Sequence, residues 1–220
     1  MALQYITNTS SPVSVTDQIR AVINGGCRWV QIRMKEADDN EVRQVVETVM
    51  PWCIETETFL ILDDRVELAK ELQAGGVHLG KTDMPPIQAR LQLGAGAVIG
   101  VTANTFEDVE KVKTLDVDYI GVGPYRYTET KKNLAPILGL EGIRHICDEM
   151  KKNEIEIPVV AIGGIRLEDV EPLMATGVNG IAVSGAIAFA PDLQHATEDF
   201  VNALKKSIDS RTKCKKLRSE

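Results

Sequence analysis

Polar and apolar side chains alternate in the stretch WVQIRMK, residues 29–35. Strand side chains point alternately to two faces, so Gln31, Arg33 and Lys35 would share one face and the apolar residues between them the other. Two cations and an amide on one face can bind an anion such as a phosphate. A half-exposed strand would show the same alternation, and the rest of the chain has to distinguish the two interpretations.

Carboxylates follow two later apolar runs. Asp63 and Asp64 come directly after Phe59–Leu62, and Asp83 comes shortly after GVHLG. Mg²⁺ is commonly held by one or two carboxylates together with phosphate oxygens and water. A carboxylate from each of these two places predicts a magnesium site, although Asp64 alone could instead cap a following helix.

Glycines mark the ends of the last two β-rich runs, at Gly163-Gly164 and at Ser184-Gly185. Glycine lets a phosphate approach backbone N–H groups closely at a helix N-terminus. The same glycines could serve as plain turn residues. Because these glycines occur at the ends of two neighbouring strands, they favour a phosphate-binding site there.

The longest connection, GPYRYTETKKNLAPILG at 123–139, is rich in hydroxyl groups and lysines. Thr128, Thr130 and Lys131 can donate hydrogen bonds to phosphate oxygens, so the segment predicts a loop that closes over a phosphorylated ligand. Thr102, at the end of another apolar run, adds a further hydroxyl. Together these groups can bind more than a single phosphate.

Short β-rich runs recur along the chain with helical patterns between them, and this arrangement positions the polar groups. The runs are nearly all apolar, as in a parallel sheet covered on both faces. Eight such units predict an α/β fold of the (β/α)8 TIM-barrel class, with an open doubly wound sheet as the alternative. In such a barrel the active site lies at the C-terminal ends of the strands, so Gln31, Arg33 and Lys35 should point into the barrel mouth. The runs begin at Leu3, Trp29, Phe59, Gly76, Val98, Tyr119, Pro158 and Gly180.

Composition narrows the class of protein. The hydrophobic pattern of the 220 residues is unbroken by a linker, which predicts one catalytic barrel over 1–208 and a basic, disordered tail over 209–220. The net charge of −7 argues against nucleic acid as a partner. No apolar run reaches the ~20 residues of a membrane span and no signal peptide is evident, so a cytoplasmic location is expected. Four cysteines without a CxxC pair argue against zinc.

From about Tyr5 to about Ile187 the sequence resembles the thiamine phosphate synthase family. The likeness consists of ordered motifs, each weak alone and specific together. They are VQIRMK (similar to Q-[LI]-R-x-K), LILDDRVELA (a strand ending in Asn-Asp-Arg), GVHLGKTDMP (HxGQxD), IGVTANT (IGxS), GPYRYTETKK (the TxTK loop), and AIGGI and VSGAI (phosphate-binding strand ends).

The resemblance implies that a pyrimidine diphosphate and a thiazole phosphate are joined into thiamine phosphate with release of pyrophosphate. It implies Mg²⁺ held by Asp64 and Asp83, with Arg33, Lys35 and Lys131 acting on the departing diphosphate. The implied pyrimidine diphosphate contacts are Gln31, Arg33, Lys35, Asp63, Thr102 and Lys131, and the implied thiazole phosphate contacts are Thr128, Thr130, Gly164, Ser184 and Gly185. Asp63 departs from the family, which usually has Asn there, and places an extra carboxylate near the diphosphate.

Three other functions remain open on the residues alone. A thiazole tautomerase-like relative would share the barrel but generally lacks the complete set of Arg33, Lys35 and the TETK loop. A catalytically silent protein that binds the same phosphates is favoured only by Asp63. A sugar-phosphate isomerase would need an acid–base pair, and the strand ends carry no Glu. Homo-oligomerisation is left open.

Overall fold

The computed structural model describes residues 2–128 and 135–217, with side chains as far as residue 210. Within these ranges eight parallel strands form a closed barrel, in which each strand pairs with the next along the chain and the eighth pairs with the first. The predicted (β/α)8 barrel is confirmed, and the open sheet is wrong because Leu3 pairs with Ile181 to close the ring. The strands are β1 Leu3–Ile6, β2 Trp29–Ile32, β3 Phe59–Asp63, β4 Gly76–Leu79, β5 Val98–Ala103, β6 Tyr119–Val122, β7 Val159–Ile162 and β8 Gly180–Val183.

Helices surround the barrel and cover its outer face. Several begin with a side-chain cap that the local sequence supplies: Asp38 and Thr105 each form a reciprocal capping box with the acidic residue three positions later. The helices are α1 Val15–Asn24, α2 Asp39–Glu55, α3 Val66–Glu71, α4 Pro86–Leu93, α5 Phe106–Val112, α6 Gly139–Lys152, α7 Val170–Ala175, α8 Gly185–Ala188 and α9 Leu193–Leu217. A short 3₁₀ turn, Leu167–Asp169, precedes α7.

Aromatic side chains fill the barrel interior. The rings of Trp29 and Tyr119 meet edge to face, with centroids 4.8 Å apart. A Cβ on Gly100 would lie 2.0 Å from the Tyr119 ring, so only glycine at that position leaves space for it. Ile6 and Ile61 pack in the same buried cluster. The interior below the mouth is therefore a packed core, as in other barrels of this class.

The alternation in β2 has the predicted orientation. Val30 and Ile32 are buried in the larger core cluster, which contains the inward faces of the helices, whereas Trp29 belongs to the cluster inside the barrel. Gln31 is buried on that inner side, and Arg33 lines the cavity at the mouth. The strand is thus an interior barrel strand whose polar side chains lead into the mouth.

The last helix, α9, extends to Leu217 and so runs into the segment 209–220 for which the sequence predicts a disordered tail. The domain boundary at 208 and the disorder of the basic segment stay predictions. Across 2–128 and 135–217, none of the helices combines the length and the hydropathy that crossing a bilayer requires.

Candidate active site

The Asp63 carboxylate lies between Gln31, in β2, and the side chains of Arg33 and Lys35, just after that strand. Gln31 Nε2 donates to Asp63 Oδ1 over 2.8 Å, Lys35 Nζ lies 2.9 Å from Asp63 Oδ2, and Arg33 Nε lies 3.7 Å from the same oxygen. The pairing of Ile32 with Leu62 in adjacent strands brings these groups together. The predicted anion-binding residues therefore form a group around Asp63, whose side chain is only 10% exposed.

Asp64 belongs to the same group and does not cap a helix. The first helical turn after it has Arg65 as its N-cap, without a side-chain cap hydrogen bond. The backbone of Asp64 has φ 75°, a left-handed conformation that is costly for a residue with a side chain. Its Oδ2 lies 3.4 Å from Lys35 Nζ. The strained turn thus directs the carboxylate toward the mouth.

The positive charge of Lys35 is stabilised by these neighbours. Partial burial alone would lower its pKa, but the hydrogen bond and charge of Asp63 and the charges of Asp83 and Asp64 outweigh it, so the pKa of Lys35 is raised. The contribution of Asp83 means that the third carboxylate, from the loop after β4, also lies within electrostatic reach. Lys35 is therefore protonated at neutral pH.

Asp64 and Asp83 fit a magnesium ion that is bound together with a phosphorylated ligand. Asp83 Oδ2 accepts a 2.6 Å hydrogen bond from the backbone N–H of Gly80, which fixes that carboxylate in its turn. In the described part of the chain, no group of three or more His, Cys, Asp or Glu side chains is arranged to hold a metal. Two carboxylates with substrate oxygens and water are a common magnesium environment, whereas a dedicated protein cage is not.

A buried chain of hydrogen bonds connects the barrel interior to Thr102 at the mouth. Gln4 Nε2 donates to the Tyr119 hydroxyl over 3.1 Å, His78 Nδ1 lies 2.8 Å from that hydroxyl, and His78 Nε2 lies 3.0 Å from Thr102 Oγ1. Burial raises the pKa of Tyr119, so its hydroxyl keeps its proton. Sequence analysis identified Thr102 but not the residues behind it.

An open cavity of about 610 Å³ occupies the mouth, a volume typical of small-molecule sites. Its lining comes mainly from the ends of β1, β2, β5, β6, β7 and β8, from the loop after β6 and from α9. Six of the predicted site residues line it: Arg33, Thr102, Thr128, Gly164, Ser184 and Gly185. Asp63 contacts Arg33, and it joins Gln31 and Lys35 to the same group. Asp64 contacts Lys35, and Asp83 acts on the charge of Lys35. Thr130 and Lys131 lie outside the described residues.

The wall formed by the β7 end depends on glycine. Gly163 and Gly164 have φ values of 102° and 65°, which favour glycine. A Cβ on Gly163 would lie 2.8 Å from Pro124, and one on Gly164 would lie 2.8 Å from the carbonyl oxygen of Tyr127. The two glycines thus allow the loop after β6 to pack directly against the β7 end.

An ion pair that sequence analysis missed holds the same wall together. Both guanidinium NH groups of Arg126 donate to Asp169, over 2.7 and 2.9 Å, and Arg126 also donates to the carbonyl oxygen of Gly164. Burial raises the pKa of Asp169, but the hydrogen bonds from Arg126, the Arg166 N–H and the Tyr125 hydroxyl outweigh it, so the pKa is lowered. No local signal in the sequence connects Asp169 to a residue 43 positions earlier.

Ser184 is positioned from the first strand end. Asn8 Nδ2 donates to Ser184 Oγ over 3.3 Å, and the Asn8 side chain also accepts from the Ser10 N–H. With its oxygen accepting from Asn8, the Ser184 hydroxyl can donate its own hydrogen into the cavity. Lys81, by contrast, points away to an ion pair with Asp108 on α5.

Comparison with known proteins agrees with this geometry. The family model described as thiamine monophosphate synthase matches residues 3–187. A thiamine-phosphate synthase of Bacteroides fragilis is 52% identical over 92% of this chain and 99% of its own, and that of Bacteroides thetaiotaomicron is 50% identical over 92% and 97%. The solved thiamine phosphate pyrophosphorylase of Pyrococcus furiosus superimposes with a TM-score of 0.83 at 30% identity, covering 94% of this chain and 96% of that one. The chain therefore belongs to the thiamine monophosphate synthase family.

Proposed function

We propose that this protein joins 4-amino-2-methyl-5-hydroxymethylpyrimidine diphosphate to 4-methyl-5-(2-phosphoethyl)thiazole, giving thiamine phosphate and pyrophosphate. The observation that carries the proposal is one cavity that is lined both by Arg33, after β2, and by Gly164, Ser184 and Gly185, at the ends of β7 and β8. A site for two phosphorylated ligands needs two sets of anion-binding groups around one space, and these strand ends supply them. The size of the cavity suits two small heterocycles.

The β2 side of the cavity would bind the pyrimidine diphosphate. Arg33 and Lys35 supply charge-assisted donors, Thr102 a hydroxyl, and Lys131 a further cation from the loop after β6. Gln31 Oε1 is buried and accepts no hydrogen bond from the described residues. A buried acceptor without a partner is costly, and a ligand amino group such as that of the pyrimidine would satisfy it.

The β7–β8 side would bind the thiazole phosphate. The backbone at Gly164 and Gly185 can approach the phosphate closely, and the Ser184 hydroxyl donates from between them. Thr128 lines the same cavity, and Thr130 belongs to the same proposed set. These named donors are neutral, and the cation on the same wall, Arg126, already pairs with Asp169.

Asp64 and Asp83 would hold Mg²⁺ on the diphosphate. The ion would neutralise part of the negative charge that the diphosphate gains as it leaves. The two carboxylates come from neighbouring strand ends, and the carboxylate of Asp83 is fixed by Gly80. The protein's part is therefore to keep two oxygen ligands beside Lys35.

The reaction requires charge stabilisation more than acid–base catalysis. The bond between the pyrimidine methylene carbon and the diphosphate oxygen breaks with both electrons going to the oxygen, and the thiazole nitrogen lone pair forms the new C–N bond. Arg33, Lys35 and Lys131 stabilise the departing anion, as prearranged donors do where charge develops in a transition state. Holding the two rings in line supplies much of the remaining rate increase.

The test is to mix the purified protein with both substrates and Mg²⁺ and to quantify pyrophosphate and thiamine phosphate together. We expect equal amounts of the two products, and none when either substrate is omitted. Binding of the thiazole phosphate without any product would contradict the synthase and favour a silent phosphate-binding protein. A cytoplasmic location remains a further prediction, which cell fractionation would check. Light scattering would determine the oligomeric state, which the sequence leaves open.

A further inference from the structure

Asp63 occupies the position where the anion-binding groups of β2 converge. It accepts from Gln31 Nε2 at one oxygen, and the other oxygen lies 2.9 Å from Lys35 Nζ and 3.7 Å from Arg33 Nε. The oxygens of a bound diphosphate would need the side-chain nitrogens of Gln31, Lys35 and Arg33 as donors. In the structure these nitrogens already lie against the carboxylate of Asp63.

The charge balance around this carboxylate is unfavourable to a second anion. Asp63, Asp64 and Asp83 all act on the charge of Lys35, and Arg33 is the other cation in contact with this group in the described part of the chain. Three carboxylates thus face two cations. Because the Asp63 side chain is largely buried, water screens its repulsion of an anion only weakly.

We propose that Asp63 is an internal competitor of the diphosphate: it holds Gln31, Arg33 and Lys35 in place in the free protein and weakens the binding of pyrophosphate. The inference rests on the proposed function, because it takes these groups as the diphosphate site. Asp63 then sets the affinity for the leaving group and the ease of product release. A direct favourable contact of Asp63 with the diphosphate is not part of this proposal.

The substitution Asp63→Asn separates charge from shape. The Asn side-chain oxygen can still accept from Gln31 Nε2, while the amide nitrogen that replaces the second oxygen no longer attracts Lys35 and Arg33. The two cations become available to a diphosphate without a change in side-chain volume. Asp63→Ala removes the carboxylate altogether and is a second variant with the same charge change.

The experiment is calorimetric titration of inorganic pyrophosphate into wild type, Asp63→Asn and Asp63→Ala in the presence of EDTA. We expect the dissociation constant to fall about tenfold or more in both variants, since one buried unit charge near a polyanion is removed. The control is Asp116→Asn, which removes one charge from a carboxylate whose side chain is 80% exposed and which lies in an ion pair with Arg90. It should change the constant by less than about twofold, because exposed charges are screened.

The same titrations repeated with Mg²⁺ in place of EDTA distinguish a competitor of the diphosphate from a ligand of the metal ion. If Asp63 were a ligand of the ion, Asp63→Asn would weaken pyrophosphate binding in Mg²⁺, and that result would overturn the proposal. An unchanged dissociation constant in EDTA, in variants that melt within a few degrees of wild type, would overturn it as well. If the dissociation constant is unchanged but the wild-type protein makes thiamine phosphate, only the inference about Asp63 is wrong. If the wild-type protein makes no thiamine phosphate and binds no pyrophosphate, the proposed function is wrong, and so is the inference that rests on it.

Discussion

His78 Nε2 lies 3.0 Å from Thr102 Oγ1, and this contact determines which way the Thr102 hydroxyl can donate. Gln4 donates to Tyr119, so the Tyr119 hydrogen is directed to His78 Nδ1. A neutral His78 then carries its proton on Nε2 and donates to Thr102. The hydroxyl hydrogen of Thr102 is thereby left for a ligand in the cavity that Thr102 lines.

The first prediction is that His78 is the Nε2–H tautomer, as measured by ¹⁵N NMR of the imidazole. Tyr119→Phe should abolish this preference, because the donor to Nδ1 is lost. Tyr127→Phe is the control, since it removes the same hydroxyl group from a tyrosine that is 64% exposed in the loop after β6. An Nδ1–H tautomer in the wild-type protein would contradict the prediction, because His78 would then donate to Tyr119 and accept from Thr102.

Arg33→Ala should lower the rate of thiamine phosphate formation by more than about tenfold. A charge-assisted contact to the departing diphosphate is worth more than about 1.4 kcal/mol in the transition state. Arg43→Ala removes an arginine that pairs with Glu71 on the outer surface, and its rate should stay within about twofold of wild type. Steady-state kinetics with both substrates measure the difference, and equal rates for the two variants would mean that the diphosphate lies elsewhere.

Gly164→Ala should destabilise the protein more than Gly94→Ala does. Both glycines have positive φ, so both substitutions carry backbone strain of about 1 kcal/mol or more. Only at Gly164 would the new Cβ also approach a backbone carbonyl oxygen to 2.8 Å, whereas nothing lies within 4 Å at Gly94. Urea unfolding gives the two free energies, and the Michaelis constant for the thiazole phosphate should rise in Gly164→Ala alone.

The Arg126–Asp169 pair predicts a pH dependence of stability. The pKa of Asp169 is lowered below its ordinary value of 3.8, so the folded protein binds this proton less tightly than the unfolded chain does. Its stabilisation is fully present above about pH 5 and is lost as the pH falls through the lowered folded-state value.

Asp169→Asn should therefore destabilise the protein at pH 7 by about 1–3 kcal/mol. The effect should lie toward the lower end of this range, because the side chain of Arg126 is partly exposed and water screens its charge. The difference from wild type should shrink as the pH is lowered below about 4. Glu168→Gln, at the exposed neighbouring position, should show no such convergence. Melting temperatures across this pH range provide the measurement, and a constant difference would exclude the ion pair as the cause.

The strands could be predicted from the sequence because their signal is local. Each apolar run is buried on both faces, and β2 begins at Trp29 as the pattern indicates. The same alternation placed Gln31 and Arg33 on the inner side. Asp63 and Asp64 could be located at a strand end, because the change from apolar to acidic residues marks that end directly.

Contacts between distant positions could not be predicted in this way. The Arg126–Asp169 pair joins the loop after β6 to the turn before α7, and neither residue stands out from its neighbours in the sequence. His78 was seen only as part of a motif, because its partners Tyr119 and Thr102 come from other strands. Such contacts follow from barrel closure, which aligns strand ends that local periodicity cannot align.

The aromatic packing of Trp29 against Tyr119 has a kinetic consequence. Since these rings fill the barrel beneath Thr102, the interior of the barrel offers a ligand no path to the cavity. Both substrates would therefore arrive, and both products depart, at the loop end of the barrel. The solid floor would thereby make each round of binding depend on how quickly the previous products leave that end.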